Sequence, residues 1–230
     1  MIKTVAIFGD SWAYSSFKKL PNMQEETDNL KFQDLFDERG IKASNYAIQG
    51  GTNLDTISQL SKYGKNYDLC IVFQTDPIRQ NFVQNNVEYI LNESIHLPVA
   101  TNLNQLAEIL LEDFYQEINS LGIPILLIGG CTKLCFDRIP DTINTLPLSW
   151  TELMVPDFKD HYYYWIDDTI KVFDKANKEN NWGLSLSDFF DYEKQIMEKN
   201  AIWQTSDDFS WCHAAIPAYK RMFEEIMETI

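Results

Sequence analysis

The chain has 230 residues, 45% of them hydrophobic, and a formal net charge of −15. That length holds one α/β domain with a full core, and that hydrophobic share excludes intrinsic disorder. The acidic balance argues against nucleic acid and against an anionic membrane surface, both of which are held through clustered Lys and Arg; its plainest consequence is solubility through self-repulsion.

An apolar run at residues 3–8 stops at Gly9-Asp10-Ser11, which predicts a first strand ending in a tight turn. Residues 30–39 form an amphipathic pattern closed by Gly40, residues 42–48 predict a second strand, and residues 53–63 a helix. Residues 67–74 (YDLCIVFQ) read as a third strand, apolar on both faces as a buried parallel strand is. A long helix follows at 103–121, with apolar residues at 106, 109, 110, 114, 118 and 121 and Gly122 at its end. Residues 123–128 (IPILLI) predict a fourth strand ending in Gly129-Gly130. The succession βαβαβαβ implies an α/β fold, a mostly parallel sheet with helices on both faces.

Beyond that point the alternation fades. Residues 131–160, rich in Pro, Asp and Thr, predict an irregular excursion, and helices are expected at 162–178, 186–198 and 214–230. With no repeat and no linker, the expectation is a single domain over residues 1–230. The segments 77–100 and 131–160 would be insertions at the carboxyl ends of strands, where loops shape a site.

A strand starts at once, without the basic and apolar regions of a signal peptide, and no apolar run approaches a membrane span. Cys70 lies in an apolar strand, while Cys131 and Cys135 are four apart with no second pair. These features predict a cytoplasmic protein with reduced thiols and no structural zinc. There is no DxDxDG loop and no HExxH, and the first turn has one glycine and no Lys-Ser/Thr. No metal and no cofactor is expected from these motifs.

In an open α/β sheet, ligands bind outside the carboxyl ends of the strands. The first strand delivers Gly9-Asp10-Ser11 there, the second Asn45 to Gly51, and the third Phe73-Gln74-Thr75-Asp76. The segment Asp207-Asp208-Phe209-Ser210-Trp211-Cys212-His213 precedes the last helix. Ser11 is then either a helix cap or a nucleophile. As a nucleophile it needs a base, usually His, within hydrogen-bond reach, and preorganised donors for the oxyanion. Gly50-Gly51 is a turn or a close backbone approach, and Asp76-Pro77 an Asx turn or part of a site. Asp10 suits a loop-bonding role at the site edge. Arg79 clamps a substrate carboxylate or closes an internal ion pair. His96 and His161 are less well placed than His213.

The order of these blocks resembles the SGNH (GDSL-type) hydrolases from about residue 5 to residue 219. Ile7-Phe8-Gly9-Asp10-Ser11 is the strongest match, and Asn45-x-Ala-x-x-Gly50 resembles the family's Asn-x-Gly-x-x-Gly. The resemblance implies a three-layer α/β/α sandwich with a flavodoxin-like sheet. It implies Ser11 as nucleophile and first oxyanion donor, Gly50 as second donor and His213 as general base. Two blocks depart from the pattern. Thr75 stands at the oxyanion asparagine and its hydroxyl is the expected third donor, preferred over Gln74, which alternation points to the opposite strand face. Ser210 stands where the family has the triad aspartate, leaving Asp207 or Asp208, the latter preferred on distance, or a Ser-His dyad. The implied activity is hydrolysis of a small ester or an O-acyl group, such as one on a carbohydrate. Tyr162-Tyr163-Tyr164-Trp165 and Trp211 are either a stacking surface for a sugar or core aromatics. The same departures also suit a catalytically degenerate binding or regulatory module.

Overall fold

In the computed structural model, the structure describes residues 2–19, 25–27, 30–75, 103–130, 134–154, 209–210 and 213–230. The expected helices at 162–178 and 186–198, and the insertion 77–100, lie outside the described residues.

Strand β1 (Thr4–Phe8) runs into the four-residue helix α1 (Ser11–Tyr14). A short antiparallel hairpin follows, β2 (Phe17–Lys19) with β3 (Glu25–Thr27). It leads to helix α2 (Phe32–Glu38), strand β4 (Lys42–Asn45) and helix α3 (Asn53–Tyr63). Strand β5 (Leu69–Phe73), helix α4 (Leu103–Ser120) and strand β6 (Ile125–Gly129) complete the expected alternation. Then come strand β7 (Asn144–Ser149) and helix α5 (Trp150–Met154). The two-residue strands β8 (Phe209–Ser210) and β9 (His213–Ala214) precede the terminal helix α6 (Ile216–Thr229).

The main sheet has the order β4-β1-β5-β6-β7, parallel throughout. This is the flavodoxin-like order, with its switch point between β1 and β5. Every side chain of β5 and β6 is buried, because crossover helices cover both faces of such a sheet. On one face Val5, Ile7, Ile71 and Phe73 pack against Phe32 and Phe36 of α2, Trp150 of α5 and Tyr219, Met222 and Phe223 of α6. On the other, Ala6, Phe8, Cys70 and Val72 pack against Leu60 of α3 and Leu111, Phe114, Tyr115 and Ile118 of α4. The architecture is therefore a three-layer α/β/α sandwich. No helix among the described residues is long and apolar enough to cross a membrane.

Two expectations are corrected. The stretch 131–160 is not wholly an irregular excursion: residues 144–149 add a fifth parallel strand to the sheet. Its signal is weak because Pro147 interrupts it. The register with β6 shifts there, from Leu146 opposite Ile128 to Ser149 opposite Gly129. A bulge on an edge strand is where a residue lacking an N–H is tolerated. The apolar face of α4 keeps Phe114 and Ile118 as expected but departs from the expected stripe at its N-terminal half. Leu111, Phe114, Tyr115 and Ile118 face the core, whereas Ile109 is exposed.

Candidate active site

Among the described residues, Ser11, Gly50 and Thr75 follow the carboxyl ends of β1, β4 and β5. Phe8 ends β1 and the chain turns through Gly9, whose carbonyl accepts the Ile48 N–H at 3.0 Å. The turn fits only glycine: an added Cβ would lie 3.0 Å from both the Phe73 carbonyl oxygen and the Ala13 Cβ, at φ +142°. Strand ends β1 and β5 therefore meet without an intervening side chain.

Asp10 is the N-cap of α1. Its Oδ1 accepts the Trp12 N–H at 3.0 Å, and it is buried. A carboxylate there satisfies a helix donor that has no partner one turn back. Ser11 is thereby fixed as the first helical residue, nearly sealed at 8% exposure. The C-terminal end of α1 is held from the second block. Asn45 Nδ2 donates to the carbonyl oxygens of Ala13 at 3.0 Å and Tyr14 at 3.1 Å, while its Oδ1 accepts the Ala47 N–H at 2.9 Å. Beneath α1, Trp12 packs on Trp150, which stacks on Phe73 and Tyr219. The hydroxyl of Tyr219, fully buried in α6, donates to the Trp12 carbonyl at 2.9 Å. Burial first, and then the nearby Asp10 carboxylate, hold that phenol well above its ordinary range, so it remains a donor.

After β4 the chain continues beside β1, with the Tyr46 N–H bonded to the Ile7 carbonyl at 2.8 Å, and turns at the exposed Gly50. Helix α3 begins directly after this turn. Thr52 caps it, exchanging bonds with Asp55: Oγ1 accepts the Asp55 N–H at 3.2 Å and Asp55 Oδ2 accepts the Thr52 N–H at 2.9 Å. This capping box aims the first residue of α3, Asn53, at the end of β5.

There Asn53 meets Thr75. The Thr75 N–H donates to Asn53 Oδ1 at 2.9 Å, and the Thr75 hydroxyl donates to the same oxygen at 3.1 Å. Asn53 Nδ2 returns a long bond of 3.4 Å to the Thr75 carbonyl. A threonine hydroxyl has one proton, and here it is given to Asn53. Gln74 points to the other face, as strand alternation requires, and accepts from the hydroxyl of Tyr115 in α4. Tyr115 is deeply buried and held above its usual range by desolvation.

The last block arrives through β9. Its backbone places His213 opposite Ser210 in the β8–β9 pair, and β9 lies beside α1. Asp76, Arg79, His96, His161, Asp207, Asp208, Trp211 and the 162–165 aromatic cluster fall outside the described residues. Sequence reasoning named Asn45 only as part of a motif and missed Asn53 and Tyr219 as fixing groups. Asn53 carried no local signal, since its partner is 22 residues away. No group of acidic, His or Cys side chains among the described residues is arranged to hold a metal. Cys70 and Cys135 are free thiols, pushed up to about 12 and about 11 by burial.

No protein-family model matches the chain, and neither does any curated protein. Solved structures do resemble it. A lipase/acylhydrolase from Enterococcus faecalis shares 14% identity with a TM-score of 0.42, covering 98% of this chain and 94% of that one. TesA shares 13% identity with a TM-score of 0.42, over 98% and 97% of the two chains. The acetyl xylan esterase AlAXEase shares 13% with a TM-score of 0.40, over 99% of each. What the chain itself shows is a flavodoxin-ordered α/β/α sandwich with a Gly-Asp-Ser turn after its first strand.

Proposed function

We propose that this chain is a serine esterase acting on a small ester or O-acyl group. The observation that carries the reading is the convergence on one sheet edge of Ser11 after β1, Gly50 after β4, Thr75 after β5 and the His213 backbone in β9 beside α1. In this reading the His213 imidazole takes the Ser11 hydroxyl proton as Oγ attacks the ester carbonyl. The N–H groups of Ser11 and Gly50 hold the oxyanion. The imidazolium returns its proton to the departing alcohol, and water, deprotonated by His213, then cleaves the acyl-serine. Asp208 or Asp207 orients the imidazole, Asp10 keeps Ser11 in place by capping α1, and Arg79 contributes to substrate binding. An O-acylated carbohydrate is the substrate we favour. The unit acts as one domain spanning residues 1–230.

One observation supports a second reading, a catalytically degenerate binding module: the Thr75 hydroxyl is already committed to Asn53. The two readings part on labelling with a fluorophosphonate, mapped by mass spectrometry. A single adduct on Ser11, lost in His213→Ala, is the expected result. A folded wild type that takes no adduct overturns the esterase reading in favour of the binding module.

A further inference from the structure

We infer that the side-chain amide of Asn53 supplies the third oxyanion donor, with Thr75 acting as a positioning residue that sets the amide's orientation. This rests on the esterase reading above. The Thr75 backbone N–H can only donate, so the Asn53 atom 2.9 Å from it must be the carbonyl oxygen. The Thr75 hydroxyl, donating to the same oxygen at 3.1 Å, completes its coordination. The amide polarity is thus dictated by chemistry, with no choice between its two flips.

The nitrogen follows from the plane. Nδ2 carries two N–H groups, and one is directed at the Thr75 carbonyl at 3.4 Å. The second lies in the same plane on the side away from that carbonyl. Asn53 keeps 9% of its surface exposed, whereas Thr75 keeps 1%. Asn53 also follows the Gly50 turn by three residues, between the second and third blocks of the resemblance. A hydroxyl that has spent its proton on a buried acceptor is unable to serve a developing oxyanion. A planar amide held at its oxygen by two donors presents its N–H without reorganising.

The test compares four proteins on p-nitrophenyl acetate: wild type, Asn53→Asp, Asn53→Ala and Thr75→Val. Asn53→Asp keeps an oxygen for the Thr75 donors and removes the N–H. Asn53→Ala removes the donor without adding charge, and guards against a charge-driven loss of folding in the first variant. Each is assayed below its unfolding midpoint. The expected result is a fall in kcat of about 10²–10³-fold in both Asn53 variants, with KM within about threefold of wild type, because the bond forms only in the transition state. Thr75→Val should fall by less than about tenfold. Near-wild-type kcat in either folded Asn53 variant, or a loss in Thr75→Val matching theirs, overturns the inference. If wild-type Ser11 takes the fluorophosphonate while the Asn53 variants keep their kcat, the inference alone falls. If wild type takes none and hydrolyses nothing, the esterase reading falls and takes the inference with it.

Discussion

Asn45 carries a prediction that joins stability to the site. Its side chain makes three hydrogen bonds, to the Ala13 and Tyr14 carbonyls and from the Ala47 N–H, at 3.0, 3.1 and 2.9 Å. All three lie in partly buried surroundings, so Asn45→Ala leaves two carbonyls and one N–H to find other partners. At about 1 kcal/mol net per bond, the variant loses about 3 kcal/mol. For a chain of this size that lowers Tm by about 6–12 °C. Urea unfolding followed by far-ultraviolet circular dichroism measures it. Asn45→Asp sharpens the test. It keeps the acceptor for Ala47 and sets a carboxylate oxygen against two carbonyls, so it should be at least as destabilised as the alanine variant. Fluorophosphonate labelling of Ser11 should slow in both, even well below their midpoints, because the far end of α1 is no longer pinned. A loss under about 1 kcal/mol in Asn45→Ala, or an aspartate variant as stable as wild type, would refute the reasoning.

Gly130→Ala should be more damaging than an ordinary surface change, since its Cβ would lie 1.8 Å from the Gln74 carbonyl oxygen. Relieving that contact moves the ends of β5 and β6 apart, with an expected loss of at least about 2 kcal/mol in urea unfolding; an unchanged midpoint would sink the claim. Asp68 makes a prediction about acid. Its carboxylate accepts the Lys3 N–H at 2.8 Å and the Thr4 N–H at 2.9 Å, and these bonds lower its pKa from the ordinary 3.8. A carboxyl depressed in the folded state stabilises above its unfolded pKa, and that contribution disappears as pH falls through the folded value. The Tm-against-pH curve of Asp68→Asn should therefore approach the wild-type curve as pH drops below 3.8, having lain beneath it at neutral pH. Curves that stay parallel through that range would show that Asp68 is not the group responsible.

What the sequence disclosed follows from how far each signal reaches. β1, β5 and β6 are runs of apolar residues, and a fully buried parallel strand leaves that record in the chain itself. The start of α3 at Asn53 was legible because Thr52 and Asp55 form a local capping pattern. β7 was not legible. Its apolar positions Leu146 and Leu148 flank Pro147, and an edge strand with a bulge needs neither a continuous run nor strict alternation. At the site, Ser11 and Gly50 stood out because turn chemistry is written in adjacent residues. The commitment of Thr75 to Asn53 was invisible, since nothing near either residue announces a partner 22 positions away. Tyr219, which joins α6 to the carbonyl of Trp12, is further still at 207 positions.

Those long-range contacts share a logic that bears on how an edge of this kind stays competent. Asn45 closes β4 and Asn53 opens α3, and each uses a planar amide to bind the backbone of a neighbouring block. A hydroxyl in either place would rotate and offer one proton; an amide offers a fixed acceptor and a fixed pair of donors. Asn45 spends both N–H groups on the end of α1, which fixes the helix carrying Ser11, and its oxygen on the Ala47 N–H. Asn53 spends its oxygen on Thr75 and only one N–H on the Thr75 carbonyl. Catalysis by electrostatic stabilisation requires donors oriented before charge develops, because orienting them during the reaction forfeits the gain. Folding has already fixed the orientation here, through the buried Thr75 and the Thr52–Asp55 cap behind it. Exchanging the Asn53 and Thr75 side chains, as Asn53→Thr with Thr75→Asn, should therefore fail to restore activity lost by Asn53→Ala. The amide would then hang from β5 without the two donors that aim it. Recovery of wild-type kcat in the exchanged protein would show that the donor's chemistry matters and its anchoring does not.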